Sequence, residues 1–264
     1  MPDSGVSYAV ADGIARITLN RPPVNALTLD MIHALVAALR RAAADDAARA
    51  VVLVSAVERR FCAGLDLTML LGKTGEQVRP FLHALYVDLN DAQYNLGKPS
   101  IAAVGGAARG GGMTLAISCD VIVASESASF GYPEIDIGVV PAIHFAHLPR
   151  IIGRHRAFDL LFSGRAFGAQ EAFDLGLVGK VVPNGELNGA AMALAENFAA
   201  KSPAAMRLGR AAFMRQNDYR RDIAAAVEDF CNAVATPAAQ EGIRAFIERR
   251  APNWTPNKQA GTES

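Results

Sequence analysis

The sequence predicts an α/β core followed by an α-helical C-terminal region, and three observations carry that reading. Short, continuously apolar runs of strand length occur at 50–55, 100–104 and 120–124, the pattern of strands buried on both faces. Segments with apolar residues at helical spacing separate these runs, as in a mostly parallel sheet. Beyond about Pro141 the pattern is mostly helical, and Ser202-Pro203 and Thr236-Pro237 place proline just inside a helix start.

Taken in order, Tyr8-Ala9-Val10 and Ile14-Ala15-Arg16-Ile17-Thr18-Leu19 flank Asp12-Gly13, a strong short-range hairpin signal. Arg21-Pro22-Pro23-Val24-Asn25 is a proline-punctuated loop. Thr28 caps a helix over 29–44, in which Met31, Leu35, Ala38 and Leu39 share a face. The strand at 50–55 leads through a polar loop to Phe61-Cys62-Ala63-Gly64-Leu65-Asp66-Leu67. A helix over 76–96 then ends at Gly97-Lys98-Pro99. The strand at 100–104 runs into Gly105-Gly106-Ala107-Ala108-Arg109-Gly110-Gly111-Gly112 and a helical stretch at 113–118. After the strand at 120–124, Phe130 to Glu134 reads as short and extended. Helical segments follow near 154–163, 170–175, 186–200, 203–216, 221–235 and 237–249. The chain thus divides into a core over 1–200, a helical region over 201–256 and a disordered tail over 257–264.

With 264 residues, 51% of them hydrophobic, the chain can build one sizeable core. Lys+Arg and Asp+Glu are 26 each, so the net charge is 26 − 26 = 0 and no global field favours a polyanion. No nucleic-acid partner is expected. Arg207, Arg210, Arg215, Arg220 and Arg221 read mainly as the polar face of a helix. Cys62, Cys119 and Cys231 have neither disulfide-framework nor zinc spacing. The N-terminus lacks a signal-peptide layout, and no apolar run reaches the roughly 18 residues that span a bilayer. A soluble, cytoplasmic protein without a membrane partner is the expectation.

The glycines at 105, 106, 110, 111 and 112, set between a buried strand and a helix, resemble an anion-binding turn. Gly112 is followed by Met113, not Lys-Ser/Thr, so a Walker A loop is excluded. The GxGxxG spacing fails because Leu115 occupies its sixth position. The general physics remains: glycine lets backbone approach a ligand closely, and free N–H groups at a helix start favour negative charge. The alternative is a tight packing turn. Phe61 to Leu67 has the same layout, and two such turns can aim two N–H groups at one point, the geometry of an oxyanion hole. His144 and His147 share a helix face, but no third ligand accompanies them; they read as packing or surface residues, with His144 a candidate for an extra catalytic group. Ser100, Ser118 and Ser125 lack a nucleophile elbow.

Phe61 to Leu67, the block from Ile101 to Cys119-Asp120, and Tyr132-Pro133-Glu134 with Gly138 resemble the crotonase (enoyl-CoA hydratase/isomerase) superfamily. Asn20 to Leu27 and the Gly164-Arg165, Gly176-Leu177-Val178 and Val181-Val182 motifs fit it too, so the likeness runs from about Val10 to Arg249. Gly105 is a small departure, where the family more often has a polar residue. The resemblance implies a spiral of repeated ββα units with a helical C-terminal region, and an acyl-CoA thioester as substrate. Coenzyme A would enter as part of that substrate, with no tightly bound cofactor. The resemblance places the oxyanion-hole N–H groups at Leu65 and Gly111. It lines the CoA groove with Val24, Ala63 and Asp66, and offers Arg59, Phe246 and Arg249 as phosphate or adenine contacts. A homotrimer or dimer of trimers is the family's usual state, which makes the helical region over 201–256 the expected trimerisation region.

Hydratases of this family typically carry two glutamates. Glu134 stands at the second position, and Thr114 occupies the first. A threonine hydroxyl can hold a water but cannot act as a base near neutral pH. A single carboxylate suffices for double-bond isomerisation, so isomerisation or hydration of an enoyl-CoA is the leading expectation. Alternatives on the same fold are a decarboxylase or thioester hydrolase, and a non-catalytic acyl-CoA-binding protein. Leu67, Met69, Leu70, Met113, Phe145 and Phe230 are candidate walls of the acyl pocket.

Overall fold

The computed structural model describes residues 4–254. The expected tail over 257–264 and the end of the 201–256 region lie outside the described residues. Strands β1 (Val6–Ala11) and β2 (Ile14–Leu19) pair antiparallel across Asp12-Gly13. Both turn residues have positive φ, 52° and 77°, matching the twist of the strands they join. Helix α1 (Leu29–Ala44) starts where the Thr28 hydroxyl accepts the Met31 N–H at 3.3 Å, and Met31, Ile32, Leu35 and Leu39 are buried along one face.

Three ββα-like repeats follow. The first comprises β3 (Ala50–Ser55), β4 (Arg60–Cys62) and the helical stretch α2 (Gly75–Leu82) and α3 (Leu89–Tyr94). The second comprises β5 (Ser100–Val104), β6 (Ala107–Arg109) and α4 (Gly111–Ser118). The third comprises β7 (Val121–Ser125), β8 (Ser129–Gly131), a 3₁₀ turn at Pro133–Ile137 and α5 (Ala142–Ile152). The first strands of the repeats pair in parallel in one sheet and the second strands in another, giving the orders β1-β2-β3-β5-β7-β10 and β4-β6-β8-β9. The chain therefore advances as a spiral, adding one strand to each sheet per repeat.

The apolar strands are buried on both faces, as their composition requires. Val51, Leu53, Ala102 and Val104 face the main core, while Val52, Val54, Ile101 and Ala103 face α8 (Leu187–Ala199) through Ala191 and Ala195. Between α5 and α8 lie α6 (Arg154–Ser163), β9 (Ala166–Gly168), α7 (Ala169–Asp174) and β10 (Lys180–Val182). The last helices, α9 (Pro203–Gln216), α10 (Arg220–Val234) and α11 (Pro237–Ile247), fold back over the core, with α10 against α2 and α5.

The structure departs from the sequence reading at four places. Strands β9 and β10 are three residues each, too short to break the helical pattern around them. The helix expected over 76–96 is interrupted by a π-helical turn at His83–Asp88. Only the start of the extended Phe130–Glu134 segment is strand; Pro133 opens the 3₁₀ turn that carries Glu134. Arg210 is buried rather than solvated: it donates to Asp120 at 2.9 Å and to the Gln93 and Tyr94 carbonyls at 2.7 and 3.2 Å, anchoring α9.

Candidate active site

Each of the three repeats contributes one turn to a common point, and each turn follows that repeat's second strand. After β4 comes Gly64, with φ +92°; a Cβ there would lie 2.9 Å from the Arg109 carbonyl oxygen and 3.3 Å from the Gly111 nitrogen. Only glycine satisfies both the backbone angle and the approach. The two glycine turns are therefore in backbone contact, as their parallel pairing through β4 and β6 requires. The Leu27 N–H donates to Gly64 at 2.7 Å and the Asp66 N–H donates to Leu27 at 3.0 Å, straddling Leu65. Among the described residues neither the Leu65 nor the Gly111 N–H finds an acceptor. Gly111 is the first residue of α4, whose start favours negative charge.

Glu134 comes from the third turn. A Cβ on Gly110 would lie 2.8 Å from Glu134 Oε1, so the carboxyl stands against the α-carbon next to the Gly111 N–H. The Val139 N–H donates to the Glu134 carbonyl at 3.1 Å, and Gly138 ends the turn in the left-handed region. The carboxyl is 9% exposed, and Oε2 has no hydrogen-bond partner. Burial pushes its pKa up to about 7, against the opposing bond from its own backbone and with a small further push from Asp136. Among the described residues no cation offsets that burial, so the carboxyl is pushed up by desolvation.

Thr114 lies on the first turn of α4, donating its N–H to the Gly110 carbonyl at 3.1 Å. Its buried Oγ1 makes no hydrogen bond, nor does the hydroxyl of the fully buried Tyr132. Tyr86, on the π-helical turn, is a further neighbour: burial, then the charge of Glu134, holds its hydroxyl well above the usual tyrosine range. Such turns are frequent at functional sites. The sequence reading missed Tyr86 and Tyr132. The Tyr-Pro-Glu motif was a signal for the second; for the first, Pro80 just upstream does not by itself say which hydrogen bonds shift register.

His144 and His147 are both buried. His144 Nε2 lies 3.3 Å from the Gly110 carbonyl oxygen, and its Nδ1 lies 2.9 Å from His147 Nε2. Both ring nitrogens of His144 are thus engaged inside the protein.

Of the expected CoA-contacting residues, Val24, Ala63 and Asp66 come together on one rim. The Ala63 N–H donates to Val24 at 3.0 Å, and Asp66 pairs with Arg21 at 3.1 Å. Burial raises the Asp66 pKa, but bonds from Thr68 and the Arg21 charge outweigh it, so the carboxylate is held low. It caps the short turn at Leu67–Met69. Buried Asn25 braces the same loop, donating to Ser55 Oγ at 2.8 Å and the Phe61 carbonyl at 2.9 Å. Arg59 is exposed at the start of β4. Phe246, 61% exposed, lies near the end of α11, a helix packed on the Glu134 turn, and Arg249 follows just past that end. Among the pocket-wall candidates, Leu70, Met113 and Phe230 are core, Leu67 and Met69 half-buried. Phe145 instead stacks on exposed Phe162. A cleft of about 780 Å³ opens at the other end of α4, lined by Ile117, Asp120, His147, Arg150, Phe213 and Tyr219. It lies away from Glu134.

Comparison with known proteins agrees with this geometry. The enoyl-CoA hydratase/isomerase family model matches residues 9–257. The chain is 32% identical to a Bacillus subtilis (strain 168) protein named "Probable enoyl-CoA hydratase", over 95% of this chain and 98% of that one. It is 34% identical to the mitochondrial methylglutaconyl-CoA hydratase of Mus musculus, over 92% of this chain and 79% of the relative. The crystal structure of an enoyl-CoA hydratase from Mycobacterium avium subsp. paratuberculosis K-10 superposes with a TM-score of 0.82 at 26% identity, covering 95% of this chain and 98% of that one. This chain, with its two glycine turns and its buried glutamate, is an enzyme of the enoyl-CoA hydratase/isomerase family.

Proposed function

We propose that the enzyme holds the carbonyl of an acyl-CoA thioester between the Leu65 and Gly111 N–H groups while Glu134 moves a proton, shifting the double bond of an enoyl-CoA or adding water across it. The observation that carries this reading is the buried, uncompensated Glu134 standing against Gly110, one residue from an unused N–H. In the isomerisation, ionised Glu134 takes a proton from C2 of a 3-enoyl thioester. The C2–H bond pair becomes a C1=C2 double bond and the carbonyl π pair moves onto the oxygen, forming a dienolate conjugated with C3=C4. The protonated Glu134 then returns the proton at C4, and the 2-enoyl thioester results. The charge develops on the oxygen facing the two N–H donors, each worth roughly 3–4 kcal/mol in such sites. A carboxyl with a pKa near 7 suits both halves, because its acid and base forms are both accessible at neutral pH.

Thr114 favours isomerisation over hydration, because no second carboxylate is available at its position to activate water. The rim of Val24, Ala63 and Asp66 would carry the CoA chain, with Arg59, Phe246 and Arg249 as contacts for its phosphates and adenine. We further propose a homotrimer or dimer of trimers. The exposed stack of Phe145, Phe158 and Phe162, with ring centroids 5.8 and 4.3 Å apart, supports subunit contacts beyond those of the last helices.

The test is a thioester panel followed by mass spectrometry, including 3-enoyl- and 2-enoyl-CoA esters of several lengths. Interconversion of the two double-bond isomers that disappears in Glu134→Gln is the expected result. Conversion that survives Glu134→Gln overturns the role of Glu134, and release of carbon dioxide or free CoA as the main product overturns the reaction.

A further inference from the structure

Gly110 and Gly111 share one peptide unit, and its two ends have different partners. The N–H end, on Gly111, has no acceptor among the described residues; the carbonyl end, on Gly110, is crowded with donors. It accepts the Met113 and Thr114 N–H groups at 2.8 and 3.1 Å, as the start of a helix requires, and then a third contact from His144 Nε2 at 3.3 Å. The third contact is not part of the helix. It comes from α5, in the next repeat of the spiral.

A carbonyl oxygen can only accept, so His144 Nε2 carries the proton of that bond. In the neutral ring Nδ1 is then an acceptor, and His147 Nε2 at 2.9 Å must be its donor. The two tautomers are fixed from one end, forming a chain from His147 through His144 to the Gly110 carbonyl. Tyr132 packs edge-on at 4.5 Å from the His144 ring and Tyr219 lies 5.9 Å from His147, holding both rings in place. Burial, joined for His147 by the Arg150 charge, pushes both histidines below their usual range, His147 to about 3. Both shifts favour the neutral rings that this bonding pattern requires.

We propose that His144, braced by His147, is a positioning residue that orients and polarises the Gly110–Gly111 peptide so that its N–H becomes a stronger donor to the thioester oxygen. A bond accepted at an amide carbonyl strengthens the bond donated by the same amide, by about 10–30%. Two consecutive glycines also form a peptide that rotates easily, and the imidazole holds its oxygen. The proposal rests on the oxyanion-hole reading above. It assigns His144 no contact with substrate and no proton transfer.

The experiment compares wild type, His144→Met and His144→Gln. Glutamine keeps an N–H donor near the place of Nε2; methionine fills the space without one. In the Glu134→Gln background, which binds without proton transfer, crotonyl-CoA labelled with ¹³C at its carbonyl is followed by isotope-edited infrared spectroscopy. Binding should lower the carbonyl stretch, His144→Met should lose a measurable part of that shift, and His144→Gln should keep most of it. With Glu134 intact, His144→Met should lower kcat about tenfold with KM within about twofold, less than the roughly 10²–10³-fold cost of losing a donor outright. His144→Gln should recover to within about threefold. An unchanged shift and kcat in His144→Met, or equal damage in both variants, overturns the proposal. If His144→Met does not fold, His147→Leu replaces it, since removing the brace should weaken the same shift. No carbonyl shift in the reference background would instead overturn the oxyanion-hole reading, and this inference with it.

Discussion

The two ends of α4 treat carboxylates in opposite ways. Past its C-terminal end, Asp120 Oδ2 accepts from the Ser100 N–H at 2.8 Å, the Ser100 hydroxyl at 3.0 Å and Arg210 Nε at 2.9 Å. At the N-terminal end, among the described residues, Glu134 has no cation and an unpaired oxygen. The first arrangement fixes α9 to the core. The second leaves a carboxyl uncompensated at the site proposed above. One end of the helix is paired and the other is left unpaired.

The contrast breaks most sharply at Glu134. Glu134→Gln should lower turnover by about 10³-fold, within the range expected for a general base. The same variant should be more stable than wild type above neutral pH. The Glu134 pKa is near 7 in the folded chain against an ordinary 4.5. Below 4.5 the carboxyl is protonated in both states and carries no penalty. Between 4.5 and 7 the unfolded chain ionises first, so stability falls as pH rises, and above 7 the whole penalty of roughly 3 kcal/mol remains. Thermal melts of both proteins at pH 4.5 and pH 8 check this: the gain should appear only at pH 8. In wild type, kcat/KM should rise through about pH 7 as the base form appears.

At the other end, Arg210→Leu should cost about 3–5 kcal/mol, because it strands Asp120 and the Gln93 and Tyr94 carbonyls. Turnover per folded molecule should stay within about twofold. Denaturant titration with an active-site-normalised assay separates the two effects; a large loss of turnover at unchanged stability would erase the distinction between the ends. A smaller effect is expected at Thr114→Glu. It should raise hydration relative to isomerisation by about tenfold, if a second carboxylate is what water addition lacks. Chromatography of the products from a 2-enoyl-CoA reads the ratio directly. Smallest, and remote from both ends, Thr28→Ala should cost about 1 kcal/mol by removing the cap of α1.

Much of this was legible in the sequence because it depends on neighbours in the chain. Asp12-Gly13 dictates a hairpin, Thr28 a helix start, and the apolar runs at 50–55 and 100–104 dictate buried strands. The glycine turns and Glu134 were readable as motifs. What could not be read depends on residues far apart. Arg210 looks like any other arginine on a helix until Asp120, 90 residues away, is placed beneath it. His144 and His147 show their spacing but not the Gly110 carbonyl they meet. The π-helical turn that carries Tyr86 has Pro80 just upstream in α2, a breaker that does not by itself say which hydrogen bonds shift register.

The placement of the three site turns has a further consequence. Leu65, Gly111 and Glu134 each follow the second strand of successive repeats, so the site is a column with one entry per coil of the spiral. Each coil owns its own contribution, and the backbone donors of the first two do not depend on side-chain identity. A lineage could therefore exchange the third coil's carboxyl, or the residue at Thr114, and obtain a new reaction while inheriting the electrophile-binding half unchanged. On the function proposed above, the architecture separates what would recognise the thioester from what would decide its fate.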